Sequence, residues 1–217
     1  MAKHTVIFAN GEMHFPEAVR KIAQTADLKI AADGGFFYMQ QLEMMPDLLI
    51  GDLDSVTAEQ VSLAEAAGGR VSRYPADKDE TDLELALLAA AEWGSDRITV
   101  VCALGGRLDQ TLANIHLLSL PQLSDIDLRI DDGKVEVLLI RAQAEIFGDQ
   151  GDLLSLLPLT PMVYGITTTN LKYPLIGENL GFHQSRGISN VMLTSKALVE
   201  IQSGLLLCIH DRKEVLE

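Results

Sequence analysis

Asp52 and Asp54 follow the apolar run Leu48–Ile50 and are of the residue type that holds hard cations. At an extended strand end alternate side chains share a direction, so the two carboxylates would point the same way. Two or three such oxygens, completed by phosphate oxygens and water, satisfy Mg²⁺. Acids recur at equivalent places. Leu28–Ala32 runs into Asp33-Gly34-Gly35, Arg70–Tyr74 into Asp77-Lys78-Asp79-Glu80-Thr81-Asp82, and Arg97–Ala103 into Gly105-Gly106-Arg107-Leu108-Asp109-Gln110. Four successive strand-like segments thus end in Asp, and two of them in paired glycines. Open parallel sheets bind ligands at the carboxyl ends of their strands, so these loops are expected to converge. The chemistry they suit is transfer of a phosphate group, with clustered aspartates holding a divalent metal against a nucleotide.

Each position also has a local explanation. Asp54-Ser55 would cap a following helix or shape a turn, although the other three loops favour metal binding. Asp79 and Asp82 stand where a helix begins, and acids there are stabilised by the dipole and the free amides. Thr81 can already cap that helix, which leaves Asp82 free to face the site. Lys78 suits a phosphate contact and equally a solvated surface. Gly105-Gly106 allows close backbone approach to a phosphate or adenine, and Arg107 can clamp phosphate oxygens. Asp109 is either a nucleotide-side residue or the N-cap of the next helix.

Several other chemistries lack their motifs. Neither the GxGxxG nor the GxxxxGK[ST] phosphate loop is present, and no serine lies in a GxSxG turn. The five histidines include no HExxH and no i, i+4 pair; His116, inside a predicted helix, reads as packed or solvated. Cys102 and Cys208 lie in apolar strand-like runs without CxxC spacing. That predicts buried free thiols in place of a disulfide or zinc site.

The elements that must position these residues change character along the chain. Strands are predicted at Thr5–Ala9, Leu28–Ala32, Leu48–Ile50, Arg70–Tyr74 and Arg97–Ala103. Helices are predicted at Pro16–Ala26, Phe36–Leu42, Ala58–Ala67, Thr81–Trp93 and Gln110–Leu120. Near-continuous apolar strands alternating with helices predict a parallel sheet covered on both faces. In the helix from Thr81, Leu83, Ala86, Leu87 and Ala90 share one face, and Thr81 with Glu84 has capping-box spacing. After the turn signal Asp131-Asp132-Gly133, short strands follow at Val135–Ile140, Glu145–Phe147, Leu153–Leu157, Val163–Thr168, Leu198–Ile201 and Leu205–His210. They predict an all-β sandwich or barrel. The expected organisation is an α/β domain over residues 1–132 and a β domain over residues 133–217.

Composition excludes some partners. The 217 residues carry a net charge of −14, which argues against a nucleic-acid binder because phosphate backbones reward basic surfaces. Binding a nucleotide here requires local Lys or Arg, backbone amides and metal ions against the general field. No apolar stretch approaches the roughly 20 residues of a membrane span, and Val6–Ala9 is too short for a signal-peptide core. A cytoplasmic location follows by default.

Taken in order, these blocks resemble the thiamine pyrophosphokinase family. The resemblance rests on Ala32-Asp33-Gly34-Gly35, Gly51-Asp52-Leu53-Asp54-Ser55, Asp79-Glu80-Thr81-Asp82 and Gly105-Gly106-Arg107-Leu108-Asp109-Gln110. It continues through Thr167-Thr168-Thr169-Asn170-Leu171-Lys172-Tyr173-Pro174-Leu175 and Ser185-Arg186-Gly187-Ile188-Ser189-Asn190. It implies an α/β catalytic domain, a C-terminal β-sandwich and a homodimer. The implied reaction moves the pyrophosphoryl group of ATP to the hydroxyl of thiamine, giving thiamine diphosphate and AMP. By motif match, Asp52, Asp54 and Asp82 would act in catalysis and hold Mg²⁺, with Asp33 as a further ligand. Gly34, Gly35, Lys78, Gly105, Gly106, Arg107 and Asp109 fall on the nucleotide side, and Asp79, Ser185, Ser189 and Asn190 on the thiamine side.

The sequence departs from the family at two places. Asn170 stands where many bacterial relatives have Gly, and Asn tolerates the left-handed conformation. Animal-type members place a Trp near the chain end against thiamine, where this sequence has Leu205-Leu206-Leu207. Rival readings are pyrophosphoryl transfer to another heterocyclic alcohol such as a hydroxymethyl pterin, a haloacid-dehalogenase-like phosphatase built on Asp52-Leu53-Asp54-Ser55-Val56, and a magnesium-nucleotide sensor without turnover.

Overall fold

The computed structural model describes residues 3–216, and the chain divides into two compact units between Gly133 and Lys134. The division lies at the Asp131-Asp132-Gly133 turn. Asp131 Oδ1 accepts the Gly133 amide at 2.8 Å, and Gly133 has φ +92°, the local chemistry expected of an Asp-Gly turn.

The first unit alternates strand and helix: β1 (His4–Phe8), α1 (Pro16–Gln24), β2 (Leu28–Ala32), α2 (Gly35–Gln41), β3 (Leu48–Gly51), α3 (Ala58–Ala66), β4 (Arg70–Arg73), α4 (Asp82–Glu92), β5 (Arg97–Val101), α5 (Leu108–Leu117) and β6 (Asp127–Asp131). Its strands run parallel in the order β6-β5-β1-β2-β3-β4. Alternate residues of each strand serve opposite faces. Val6, Phe8, Ala31 and Leu49 pack with Val19 and Ala23 of α1, Phe36 and Met39 of α2, and Ala64 of α3. On α4, the four residues expected to share a face (Leu83, Ala86, Leu87, Ala90) are all buried, and the helix lies against β1, β2 and β3. The α/β expectation is therefore borne out. Strand β6 was not expected, because its acids and Arg129 mask the apolar alternation of Leu128 and Ile130.

Helix starts differ in detail from expectation. Thr81 Oγ1 accepts the Glu84 amide at 3.2 Å, but the two-way capping box forms instead at Thr57 and Gln60 of α3. Thr57 therefore caps α3, in place of the Asp54-Ser55 cap that was the local alternative. Helix α5 begins at Leu108 after N-cap Arg107, which leaves Asp109 in its first turn.

The second unit is antiparallel. One group of strands is β12 (Asn190–Val191), β9 (Leu153–Pro158), β14 (Leu206–Asp211) and β7 (Val135–Ile140); the other is β11 (Glu178–Gly181), β10 (Met162–Thr169), β13 (Lys196–Glu200) and β8 (Gln143–Phe147). Leu138, Leu154, Leu156 and Leu206 of the first group share a core with Ile146, Val163, Ile166 and Val199 of the second, which makes a sandwich. Strands β11 and β12 are too short and polar to stand out in the sequence. Asn170 has φ +63°, and its Nδ2 donates to the Lys196 carbonyl at 2.9 Å, so the left-handed position is held by a residue suited to it. Cys102 and Cys208 are both free and buried. Burial, with the Asp132 charge second, pushes the Cys102 thiol up to about 12.

A buried ionic cluster crosses this unit. His210 on β14 pairs with Glu136 on β7. Its Nδ1 lies 3.4 Å from Glu136 Oε2 and its Nε2 lies 2.8 Å from Asp152 Oδ2. The Arg212 guanidinium is 3.6 Å from the same Glu136 oxygen. Burial alone would lower the His210 pKa, but Glu136 and Asp152 outweigh it and hold it above its ordinary value. Burial likewise opposes the Asp152 charge, yet the Asp149 and Lys213 amides and His210 hold its pKa low. A raised folded-state pKa stabilises the protein below the unfolded value of about 6.5, and this contribution fades as pH rises through the folded value. Denaturant unfolding should therefore show stability declining as pH rises above about 6.5. His210→Gln should be less stable by about 3 kcal/mol at pH 6, because it leaves buried carboxylates short of a cation, and its stability should vary less over the same range.

Candidate active site

Asp33 lies just beyond β2, Asp52 just beyond β3, and Asp82 on the first turn of α4. One carboxylate oxygen from each comes within 4.8 Å of the others. They line a cleft of about 710 Å³ at the carboxyl end of the first unit's sheet. Asp33 is only 6% exposed, and its Oδ1 is buried without a hydrogen-bond donor. Burial raises the Asp33 pKa and the Asp82 charge adds to this, while donors on Ser55 and Gly34 act in the opposite sense. A buried carboxylate oxygen without a donor, beside two further carboxylates, fits the oxygen shell of a hard divalent cation.

Backbone geometry makes this convergence possible. Asp33 has φ +45° and Leu53 has φ +62°, conformations that ordinary residues adopt at a cost. Gly51 has φ +146°, and a Cβ there would meet Asp82 Oδ1 at 3.0 Å and Asp33 Cβ at 3.1 Å. Only a residue without a side chain leaves Asp33 and Asp82 room to approach. The chain is not extended across Asp52–Asp54, so the shared direction expected for those two carboxylates does not hold. Strand β3 ends at Gly51, and Leu53 turns into the hydrophobic core. Asp52 joins the cluster, with its Oδ1 accepting the Asp54 amide at 3.1 Å. Asp54 lines the same cleft from an exposed position outside the three-carboxylate group.

Lys78 brings a cation to the cluster. Its Nζ lies 2.9 Å from Asp82 Oδ1, at ion-pair distance but off the angles of a hydrogen bond. Burial opposes its charge, but the Asp82 contact and the fields of Asp52 and Asp33 hold its pKa above the ordinary value. Across the cleft stand Gly105, Gly106 and Arg107. Arg107 pairs with Asp109 at 2.6 Å, and both are exposed. That contact occupies the guanidinium face that a phosphate would use.

Gly34, Gly35, Asp79 and Asp109 are not among the residues lining the cleft. A side chain at Gly35 would collide with the Phe8 carbonyl, and one at Gly34 would meet the Asn10 side chain at 2.5 Å. The pair thus lets α2 pack against the end of β1. Asp79 is exposed. Gln110, the last residue of the Gly105–Gln110 block, lines the cleft, and so do Asn10, Gly11, Glu12 and Asn114, which were not anticipated. The strand-end rule, applied to β1 as it was to the other strands, would have found Asn10-Gly11-Glu12. Glu12 leans on Gly105, where a Cβ would lie 2.6 Å from its Oε2, and Asn114 Nδ2 donates to the Ala103 carbonyl at 2.8 Å.

In the second unit Asn190 is buried and its carboxamide is engaged with backbone. Its Oδ1 accepts the Tyr173 and Val191 amides at 2.9 Å, and its Nδ2 donates to the Tyr173 carbonyl at 2.7 Å. It therefore ties the 167–175 segment to the 185–190 segment. Ser185 and Ser189 are exposed, and Ser189 has φ +56°. Leu206 and Leu207 are buried in β14, whereas the Tyr173 ring is exposed.

The family model described as thiamin pyrophosphokinase, catalytic domain, matches residues 19–130, and that described as thiamin pyrophosphokinase, vitamin B1 binding domain, matches residues 140–206. The chain is 30% identical over 186 residues to the thiamine pyrophosphokinase of Bacillus subtilis (strain 168), covering 85% of this chain and 87% of the relative. It is 27% identical over 234 residues to thiamine pyrophosphokinase 2 of Oryza sativa subsp. japonica, covering 97% and 87%. The crystal structure of thiamine pyrophosphokinase from Bacillus subtilis superposes with a TM-score of 0.86 at 28% identity, covering 98% of this chain and all of that one. The structure from Geobacillus thermodenitrificans gives 0.80 at 26% identity, covering 99% of each. Two family models in sequence, relatives along nearly the whole length and a shared fold lead to one conclusion: this chain belongs to the thiamine pyrophosphokinase family.

Proposed function

We propose that the chain is a thiamine pyrophosphokinase, transferring the pyrophosphoryl group of ATP to the hydroxyl of thiamine to give thiamine diphosphate and AMP. The observation that carries this reading is the meeting of Asp33, Asp52 and Asp82 in one cleft, with a buried Asp33 oxygen lacking a donor, in a chain of this family. Attack of an alcohol on the β-phosphorus depends on charge neutralisation and in-line positioning more than on covalent chemistry. Asp33, Asp52 and Asp82 are suited to hold Mg²⁺, with Asp54 at the cleft rim as a further acid. When bound, the ion would neutralise and template the polyphosphate.

The chain's own groups supply the rest. Lys78 and Arg107 offer positive charge to phosphate oxygens, Arg107 after leaving Asp109. Gly105 and Gly106, with φ +82° and +64°, allow the backbone to approach the nucleotide closely. Asp82 is the candidate acceptor of the hydroxyl proton. Ser185, Ser189 and the segment held by Asn190 are the proposed thiamine side, and Asp79 belongs to that assignment from motif match alone. A homodimer and a cytoplasmic location belong to the same proposal; no helix of the described residues is long and apolar enough to cross a membrane.

The first test is AMP formation from ATP and Mg²⁺ with and without thiamine, with thiamine diphosphate followed chromatographically. AMP should appear only with thiamine and in step with thiamine diphosphate; folded protein giving no thiamine-dependent AMP would overturn the reading. Asp82→Asn should abolish turnover while the thermal melt and circular dichroism stay close to wild type, and retained activity would remove Asp82 as the base. Gly51→Ala should lower kcat/KM on the order of 100-fold, because it displaces Asp33 and Asp82 from one another and small misplacements cost that much. Unchanged kcat/KM in that variant would show that the spacing of this pair is not critical.

A further inference from the structure

The Lys78 ammonium sits on Asp82 Oδ1, part of the carboxylate that completes the three-acid group suited to a divalent ion. Lys78 is rooted in the loop between β4 and α4, its side chain is 11% exposed, and Nζ lies 2.9 Å from Asp82 Oδ1. A hard divalent ion binds a carboxylate oxygen at about 2.1 Å. Two cations on the same carboxylate would stand within a few ångströms of each other, with little water between them to screen their repulsion. We infer that Lys78 is a built-in competitor for the divalent-ion site, neutralising the Asp33–Asp52–Asp82 cluster itself and having to swing out before an ion can enter. This rests on the proposal that the cluster binds a divalent ion.

The geometry also provides for the displacement. Lys78 has a long flexible stem, and its Nζ already reaches the Pro75 carbonyl of its own loop at 3.3 Å. The displaced ammonium then needs a new anion in the same cleft, which a polyphosphate supplies. An ion arriving with a nucleotide therefore meets less resistance than an ion arriving alone. Competition at Asp82 thus becomes positive coupling between ion and nucleotide, reciprocal by linkage. A lysine serving only as a phosphate contact predicts no change in ion affinity when nucleotide is absent.

The test is Mn²⁺ binding to the full chain by electron paramagnetic resonance, with and without α,β-methylene ATP. The proteins compared are wild type, Lys78→Met, Lys78→Gln, Lys78→Arg and Asp82→Asn, each checked for fold by circular dichroism. Without nucleotide, Lys78→Met and Lys78→Gln should bind Mn²⁺ about tenfold more tightly than wild type, equivalent to about 1.4 kcal/mol. Lys78→Arg should stay near wild type, and the nucleotide should enhance Mn²⁺ binding less in the neutral variants. If both neutral variants bind Mn²⁺ no better than wild type while Asp82→Asn weakens binding, the ion site stands and the competition is refuted. If Asp82→Asn leaves Mn²⁺ binding untouched, the ion site is elsewhere and the inference falls with it.

Discussion

Three carboxylates from three separate stretches of chain come within 4.8 Å of one another, and most of the first unit's organisation answers to that contact. Two full charges at such a distance repel by about 3 kcal/mol even at an effective dielectric constant of 20. The arrangement persists because Asp33, Asp52 and Asp82 are carried by rigid elements. Two of those elements are strands of a parallel sheet, and the third is a helix whose apolar face is buried against that sheet. The cost of the charges and of the strained turns at Asp33 and Leu53 is offset by hydrophobic burial on the sheet faces, as functional sites commonly require. Lys78 then answers part of the charge locally.

The same constraint explains where glycine is needed. Gly51 leaves the space in which Asp33 and Asp82 approach, and Gly105 admits Glu12. Gly34 and Gly35, which look like phosphate-loop residues, instead let helix α2 press against the end of β1. The second unit has a comparable division of labour. Its sandwich core fixes two loops, and the buried Asn190 carboxamide joins them through both the amide and the carbonyl of Tyr173, while Ser185, Ser189 and the Tyr173 ring stay exposed.

Much of the architecture was legible because it is written in short-range periodicity. Helix α4 shows its buried face in the spacing of Leu83, Ala86, Leu87 and Ala90, and the parallel strands show themselves as apolar runs. Strand β6 escaped because its buried positions alternate with charged ones, and β11 and β12 because they are short. The candidate site was half legible. Acids at successive strand ends announced a polar cleft, whereas Asn114 is reached only through the placement of α5.

By itself the sequence determined the order of elements, the two-part character of the chain, its family and the kind of chemistry its acids can perform, since residue type and local spacing carry all of these. Tertiary structure alone decided which acids meet. Asp52 and Asp54 are near neighbours in sequence, yet the left-handed turn at Leu53 sends one into the cluster and leaves the other at the rim. Asp33 and Asp82 are far apart in sequence and touch the same small volume because β2, β3 and α4 pack side by side. Lys78 and Arg107 look alike as basic residues near acids, but one is drawn into the carboxylate cluster and the other pairs with Asp109 in solvent. Such outcomes depend on backbone angles and on contacts between distant segments, and neither is contained in the identity of any single stretch.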